Sequence, residues 1–413
     1  VTDAATGALR ALPARRIVAA IASAAARWCD ADFPPRVRAT AEIGARTSYT
    51  EPVVDYALDR LFGALSEGAL LAAISGELGS LAALDGFVPR SGRADGYAAP
   101  VGSVGIVASD TTIGVALPAA AFALCAKCDV SVRDRSDSLC AAFAETLAVE
   151  DPAFVRALRV HPAAAHDDDA WLAELGGADA VVAFGGDRAL RAIRERTAPQ
   201  ARFIAYGHRT SAGYVARDAL SGDVAAIAAG AARDALLYDG EGCMSLHAVF
   251  VERGGALDPA QFAAALARAL ERAAVEFPAR DVRPAPAVAG YRDASLFRSA
   301  LGKGATYTAP GAPHLLVVEP PRDEPPPLLP RTIALYAVDG PAEMVAFVRA
   351  HRLPLEAMAV ADPVGRRDVL DAVVASGAVR IAPFGALQAP SLADEHGGIV
   401  RISEFVRWVT REP

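Results

Sequence analysis

The chain has 413 residues, 53% of them apolar and 22% charged, which is enough for two or three domains with substantial cores. A net charge of −8 offers no general attraction to nucleic acid or to an anionic membrane surface, and no apolar run reaches the ~20 residues that a bilayer span needs. Five cysteines, an odd number with no secretory hydrophobic stretch, argue against a disulfide framework and for a reducing compartment, with the cytoplasm as the expected location.

Residues 4 to about 90 read as a helical lead-in, in which segments such as Val53 to Ile74 carry apolar residues at three- and four-residue spacing, broken by Gly and Pro. From Pro100 the pattern changes. A strand-like run from Val101 to Val107 is followed by a helix through Leu124 and a second strand, Val130-Ser131-Val132. Strands alternating with helices at this period predict a parallel sheet covered on both faces. Between helix and strand stands Cys125-Ala126-Lys127-Cys128, which has the spacing of a zinc half-site. With no second CxxC and no His pair at ligand spacing, it reads as structural, and no metal is expected.

The alternation continues with the strand Ala180 to Phe184, the turn Gly185-Gly186, the helix Asp187 to Arg196 and the strand Arg202 to Tyr206. Glycines between a strand end and a helix start let a ligand's phosphates approach the first-turn N–H groups, although Gly-Gly-Asp is equally a plain turn and helix cap. No G-x-G-x-x-G follows the first strand. A domain boundary is expected near residue 217.

A helix from Val224 to Leu237 then leads into Tyr238-Asp239-Gly240-Glu241-Gly242-Cys243-Met244-Ser245 and the strand Ala248 to Glu252. A free cysteine is most often a small buried hydrophobe. Glycines flanking a lone thiol ahead of a buried strand suit a nucleophile that a substrate must approach closely. Such a thiol needs cationic or dipolar help to ionise, so Glu241 is expected to point elsewhere or to pair with an arginine. After the helix Pro259 to Phe277 and a further mixed segment, the run from Glu319 to Pro327 reads as an exposed stiff connection. Beyond it come Thr332 to Val338, a helix from Ala342 to Arg352, Ala357 to Ala361, a helix from Arg366 to Ser376 and Val379-Arg380-Ile381, so the second domain is also α/β.

Several of these segments, in this order, resemble the acyl-CoA reductase branch of the aldehyde dehydrogenase superfamily, the branch that includes the fatty acid reductases of bacterial luminescence. The cysteine stretch is similar to its D-Q-x-G-C-x-S pattern, Tyr206-Gly207-His208-Arg209-Thr210-Ser211 to Y-G-x-K-x-S, and Phe184-Gly185-Gly186-Asp187 to the F-T-G-S element beside the cofactor diphosphate. The likeness extends through Gly377 to Pro390, Asp394 to Gly398 and Phe405 to Val409, covering the chain from about residue 34 onward.

The resemblance implies an α/β, aldehyde dehydrogenase-like fold with two Rossmann-like domains and a helical N-terminal lead-in. Residues 1–217 would hold the dinucleotide, 218–382 would carry the cysteine, and 383–413 would pack back on the cofactor domain or form an oligomer interface. It implies NADPH-dependent reduction of an acyl thioester to an aldehyde through an acyl-cysteine at Cys243, with Phe184, Gly185, Gly186, Asp187 and Gly207 near the cofactor. Arg133 and Arg135, after the second strand, could hold a 2′-phosphate by paired hydrogen bonds, which favours NADPH over NADH, or be surface residues flanking Asp134. His208 would donate a proton, contact the cofactor or be structural.

Three positions differ from related sequences. Ala205 occupies the position of the glutamate that activates water in hydrolytic relatives, so the acyl group is left to a thiol. Thr111 and Thr112 stand where the superfamily has an oxyanion-binding asparagine, a donor worth ~3 kcal/mol of barrier lowering. Ser245-Leu246 also replaces the common Ser-Pro. The implied partners are an acyl-CoA or acyl-carrier-protein substrate, an acyl-activating or acyl-transferring protein, and further copies of the chain in a homo-oligomer. The alternatives are an acyl-phosphate reductase and a non-catalytic acyl-binding scaffold.

Overall fold

The lead-in folds into α1 (Ala14–Trp28), α2 (Pro34–Thr47), α3 (Glu51–Ala64) and α4 (Glu67–Leu78). The computed structural model describes residues 9–109, 112–135, 138–164, 168–282, 285–309 and 311–412. The apolar spacing of α1 buries Ile17, Val18, Ile21, Ala24 and Trp28 on one face. The Trp28 ring stacks on Phe62 at 4.7 Å, and its indole N–H donates to Thr146 Oγ1 at 3.0 Å. The apolar stretch Val53 to Ile74 breaks at Ser66, whose hydroxyl caps α4, and the two helices bend by 56° there. Among the described residues no single helix is long and apolar enough to cross a bilayer.

Two compact units follow. The first comprises residues up to Thr47, Val54–Gly207 and the chain from Ser391 onward. After β1 (Val88–Arg90) and β2 (Arg93–Pro100) come β3 (Ser103–Val107), α5 (Leu117–Cys125), β4 (Asp129–Arg133), α6 (Leu139–Glu150), α7 (Ala153–Ala157), β5 (Leu158–His161), α8 (Asp169–Gly177), β6 (Ala180–Phe184), α9 (Asp187–Glu195) and β7 (Arg202–Tyr206). Five of these strands form a parallel sheet in the order β5-β4-β3-β6-β7. Strands are added on one side of β3 up to β5 and on its other side from β6, so the crevice past the carboxyl ends of β3 and β6 is the topological switch point where open sheets of this kind bind ligands. Cys125 and Cys128 are buried beside this sheet, and Cys128 Sγ donates to the Phe405 carbonyl at 3.4 Å. Burial pushes their thiols up to about 12 and about 11, as expected of structural cysteines.

The second unit comprises Ser48–Val53 and His208–Pro390. It runs β8 (Thr210–Val215), α10 (Val224–Leu236), β9 (Leu246–Glu252), α11 (Pro259–Glu276), α12 (Pro286–Ala300), β10 (Ala305–Tyr307), β11 (Leu315–Val318), β12 (Thr332–Val338), α13 (Pro341–Ala350), β13 (Leu355–Ala361), α14 (Arg367–Ala375) and β14 (Arg380–Ala382). Its sheet has the order β10-β11-β12-β9-β8-β13-β14, parallel except for β10. Residues on β12 alternate between two cores. Ile333 and Leu335 face α10 and α11, while Ala334, Tyr336 and Val338 face α13 and α14.

The boundary expected near 217 falls instead between Gly207 and His208, because β8 is a central strand of the second sheet. Residues 383–390 likewise stay with the second unit. Only from Ser391 does the chain rejoin the first, where β15 (Val406–Arg411) pairs antiparallel with β2, which in turn pairs with β1. The proline-rich connection before β12 is exposed at Asp323 to Pro325 as expected, but Pro326 and Pro327 are buried.

Candidate active site

Cys243 lies in the turn between α10 and β9, and its side chain is partly exposed. The backbone ahead of it is unusual: Tyr238, Asp239 and Gly240 are consecutive residues in the left-handed region, at φ 53°, 54° and 73°. Such a run costs free energy at each non-glycine residue and persists only where the surroundings over-determine it. Asp239 supplies the determination. Its carboxylate accepts from Arg331 Nη1 and from Arg280 Nε, each at 2.8 Å, while the Arg331 N–H donates to its carbonyl at 2.9 Å. At Gly240 a side chain is excluded, since a Cβ would stand 3.1 Å from the Ala235 carbonyl oxygen and 3.2 Å from Arg331 N. Glu241 pairs with Arg280 Nη2 at 2.6 Å, so its charge is tied up in this network.

On the other side of the cysteine, Ser211 Oγ donates to the Cys243 carbonyl at 3.0 Å and accepts the Ala357 N–H at 3.2 Å. Strand register explains the meeting. Ser211 on β8 is opposite Leu246 on β9, and Thr210 is opposite Leu355 on β13, so the residues before these strands gather at the amino ends of the sheet. Arg209 and Glu356 are brought together in the same way, 3.6 Å apart, with the Glu356 side chain buried. Burial pushes the Cys243 thiol up to about 12; the Glu356 carboxylate adds to the rise, and the Arg209 guanidinium and backbone N–H groups act against it.

His208, exposed, also belongs to this end. The buried His247 lies on β9. Burial first, then His208, holds the His247 imidazole down at about 4, against hydrogen bonding with the backbone of Gly240 and Thr332. His247 Nδ1 has no hydrogen-bond partner among the described residues.

Glu252, fully buried at the end of β9, is paired with Arg217 at 2.7 Å and Arg366 at 2.6 Å. Cys243, by contrast, precedes β9, at the end of the sheet opposite to the usual ligand crevice of an open parallel sheet.

In the first unit, Phe184 ends β6, Gly186 caps α9 and Asp187 opens that helix. Among the described residues no side chain caps the first-turn N–H groups of α9, and a Cβ on Gly186 would meet open space. This is a free helix start at the switch point of the sheet, suited to a dinucleotide's diphosphate. Gly207 lies just past β7. The aromatic rings of Phe184, Tyr206 and His396 are stacked here, with centroids 4.9 Å apart for the first pair and 4.3 Å for the second.

Arg133 and Arg135 part company. Arg133 is half-buried at the end of β4. Arg135 is buried, and its Nη1 donates to the carbonyls of Ser109, at 2.9 Å, and Thr112, so it braces the segment after β3 rather than reaching out to a phosphate. Asp134 between them accepts the Ala141 N–H at 3.0 Å and caps α6. Thr112 is half-buried in the first unit; Thr111 lies outside the described residues.

Sequence reasoning missed Glu356, His247 and the Asp239 clamp. Asp239 stood within the quoted cysteine stretch, but its partners Arg280 and Arg331 are 41 and 92 residues away. Glu356 carried no local signal at all.

The sequence matches the acyl-CoA reductase (LuxC) family over residues 9–408. No curated protein matches it significantly. Among solved structures, an aldehyde dehydrogenase from Brucella melitensis biovar abortus is similar at a TM-score of 0.71 and 15% identity, over 98% of this chain and 86% of that one. An NAD-dependent benzaldehyde dehydrogenase from Corynebacterium glutamicum gives 0.70 and 16%, over 98% and 86%. A glyceraldehyde-3-phosphate dehydrogenase from Methanocaldococcus jannaschii, complexed with NADP, gives 0.69 and 14%, over 98% and 90%. At such identities the likeness establishes the aldehyde dehydrogenase fold.

Proposed function

The chain belongs to the acyl-CoA reductase (LuxC) family, and from that premise we propose that Cys243 is the nucleophile with which it reduces an acyl thioester to an aldehyde. The enzyme is an oxidoreductase of the aldehyde dehydrogenase fold. The observation that carries the residue assignment is a partly exposed thiol at the head of a central strand, on a turn held in a strained backbone by buried ion pairs.

The chemistry assigned to this chain begins with loss of the Cys243 proton. Arg209, whose charge favours the thiolate, stabilises the anion as it forms. The sulfur adds to the thioester carbonyl, and the Cys243 N–H donates to the developing oxyanion. Collapse expels the CoA thiolate and leaves an acyl group on Cys243. The dinucleotide, when bound, supplies the hydride that takes this acyl group to the aldehyde level. Breakage of the carbon–sulfur bond then frees the aldehyde and restores the thiolate. We assign His208, exposed at the same end of the sheet, to return a proton during these steps.

The residues fit a dinucleotide held in the first unit by the main chain of Gly185 and Gly186 at the start of α9, with Phe184, Asp187 and Gly207 around it. Arg133 is the cation we assign to the 2′-phosphate that distinguishes NADPH from NADH, and Arg135 is set aside as a brace. The donor we assign is acyl-CoA. Free thiols buried at Cys125, Cys128 and Cys140 fit a reducing compartment such as the cytoplasm, and a homo-oligomer is the expected solution state.

The test uses intact mass and nicotinamide absorbance together. Incubation with acyl-CoA alone should add one acyl mass to the wild type and none to Cys243→Ala, and the variant should consume no NADPH. A variant that still turns over refutes the assignment. Offering acyl carrier protein, acyl phosphate or an acyl-transferring protein in place of acyl-CoA separates the possible donors.

A further inference from the structure

The cysteine turn is held not only by its own neighbours but by a loop that arrives from far along the chain. Residues 383–390 follow β14, and within them Gln388 Nε2 donates to Ser245 Oγ at 3.0 Å and to the Asp234 carbonyl at 3.4 Å. Ser245 is fully buried two residues after Cys243, its own N–H bonded to the Gly242 carbonyl at 2.9 Å. Gln388 therefore pins the main chain directly downstream of the sulfur, while Ser211 pins its carbonyl from the opposite side.

Gln388 is in turn fixed by a buried carboxylate. Asp234, on the last turn of α10 and wholly inaccessible, accepts the Gly385 N–H at 2.6 Å and the Leu387 N–H at 3.1 Å. Arg380 grips the same loop from its other side, donating to the Ala386 carbonyl at 2.7 Å and the Leu387 carbonyl at 2.9 Å. The loop is also pressed against α10 at Gly230, where a Cβ would lie 2.6 Å from the Phe384 carbonyl group. The arrangement is not cheap. Burial pushes the Asp234 carboxyl up to about 7, even against the loop's N–H groups and Arg380. The two carboxyl oxygens of Asp234 each take one of two diverging N–H groups, which an amide with its single acceptor oxygen does not match.

Resting on the assignment of Cys243 as the nucleophile, we propose that Gln388 is a positioning residue for that thiol, acting through Ser245 and set in place by Asp234. What it positions is the Cys243 main chain, including the N–H assigned to the oxyanion. An error of even an ångström there lowers the rate of acyl transfer without touching the dinucleotide, which the first unit binds.

The test is single-turnover acylation, followed by intact mass in the full-length protein. Gln388→Met keeps the side chain's length and loses both hydrogen bonds; acylation by acyl-CoA is expected to slow about ten- to a hundredfold, with NADPH affinity within about twofold of wild type. Ser245→Ala should slow it comparably, and the double variant should be no slower than the worse single one, since both lie on one path. Acylation at the wild-type rate in Gln388→Met overturns the proposal, as does a double variant whose losses multiply. So does a fall in NADPH affinity that matches the loss of acylation, which would mark general unfolding. Absence of an adduct on Cys243 in the wild type itself would instead refute the nucleophile assignment.

Discussion

With burial and the Glu356 carboxylate pushing its thiol up to about 12, Cys243 needs help to ionise at neutral pH. The two charges that decide how much help it receives are Glu356 and Arg209. Replacing Glu356 with Gln removes the anion that opposes thiolate formation and leaves Arg209 without its counter-charge. We expect Cys243 in Glu356→Gln to alkylate about tenfold faster with iodoacetamide near pH 8, the equivalent of about one unit in its pKa. A rate equal to or below that of the wild type would show that the carboxylate does not govern the sulfur. The sequence draws attention to Cys243 because Gly-Glu-Gly-Cys stands directly before an apolar strand. Its electrostatic partner carries no such signal. Glu356 is 113 positions later, in a segment whose apolar surroundings read only as strand, and nothing but the pairing of β13 with β8 brings it alongside.

At the scale of elements, α9 offers the clearest test of the cofactor assignment. A helix start favours anions, yet the first residue of α9 is itself an anion: Asp187 stands exposed where a diphosphate would bind. The carboxylate therefore competes with the ligand for the same partial charges. Asp187→Asn should tighten NADPH binding about two- to fivefold at low ionic strength, with the gain fading as salt is added; fluorescence titration of the reduced dinucleotide measures it. Unchanged or weakened binding would indicate that the diphosphate lies elsewhere or that Asp187 contacts the ribose.

Most elements were legible at this scale because long, strongly patterned segments signal themselves. The run Thr332 to Val338 is β12 as expected, and α11 begins at Pro259 behind a capping box of Asp258 and Gln261. By contrast, α12 was passed over as a mixed segment, and Ser295 is its only buried residue among those described. A helix with so little buried surface carries almost no hydrophobic period to read. The misplaced boundary near 217 has another cause. Thr210 to Val215 looks like any buried strand, and which sheet it joins is decided by partners that lie 35 and more residues further on.

For the whole molecule, the consequence of burying polar groups around the cysteine is a stability that balances opposing proton equilibria. Asp234 has a carboxyl raised from 3.8 to about 7 in the fold. Its stabilising contribution is complete below about pH 4 and is lost as pH rises through about 7, a swing of about 4 kcal/mol. His247 works the other way. Its pKa is lowered from 6.5 to about 4, so its contribution is complete above 6.5 and is lost as pH falls through about 4, a swing of about 3 kcal/mol. Across the interval from about pH 4 to 6.5 the two slopes oppose each other, so substitution of either residue should unmask the other. Relative to the wild type, His247→Asn should become progressively more stable as pH falls through that interval, and Asp234→Asn progressively more stable as pH rises from about 4 to 7. Urea unfolding at half-unit steps of pH measures both differences, and each substitution's constant structural cost cancels in the slope. If either variant's stability runs parallel to the wild type's across the interval, that residue does not titrate in the fold as its burial demands.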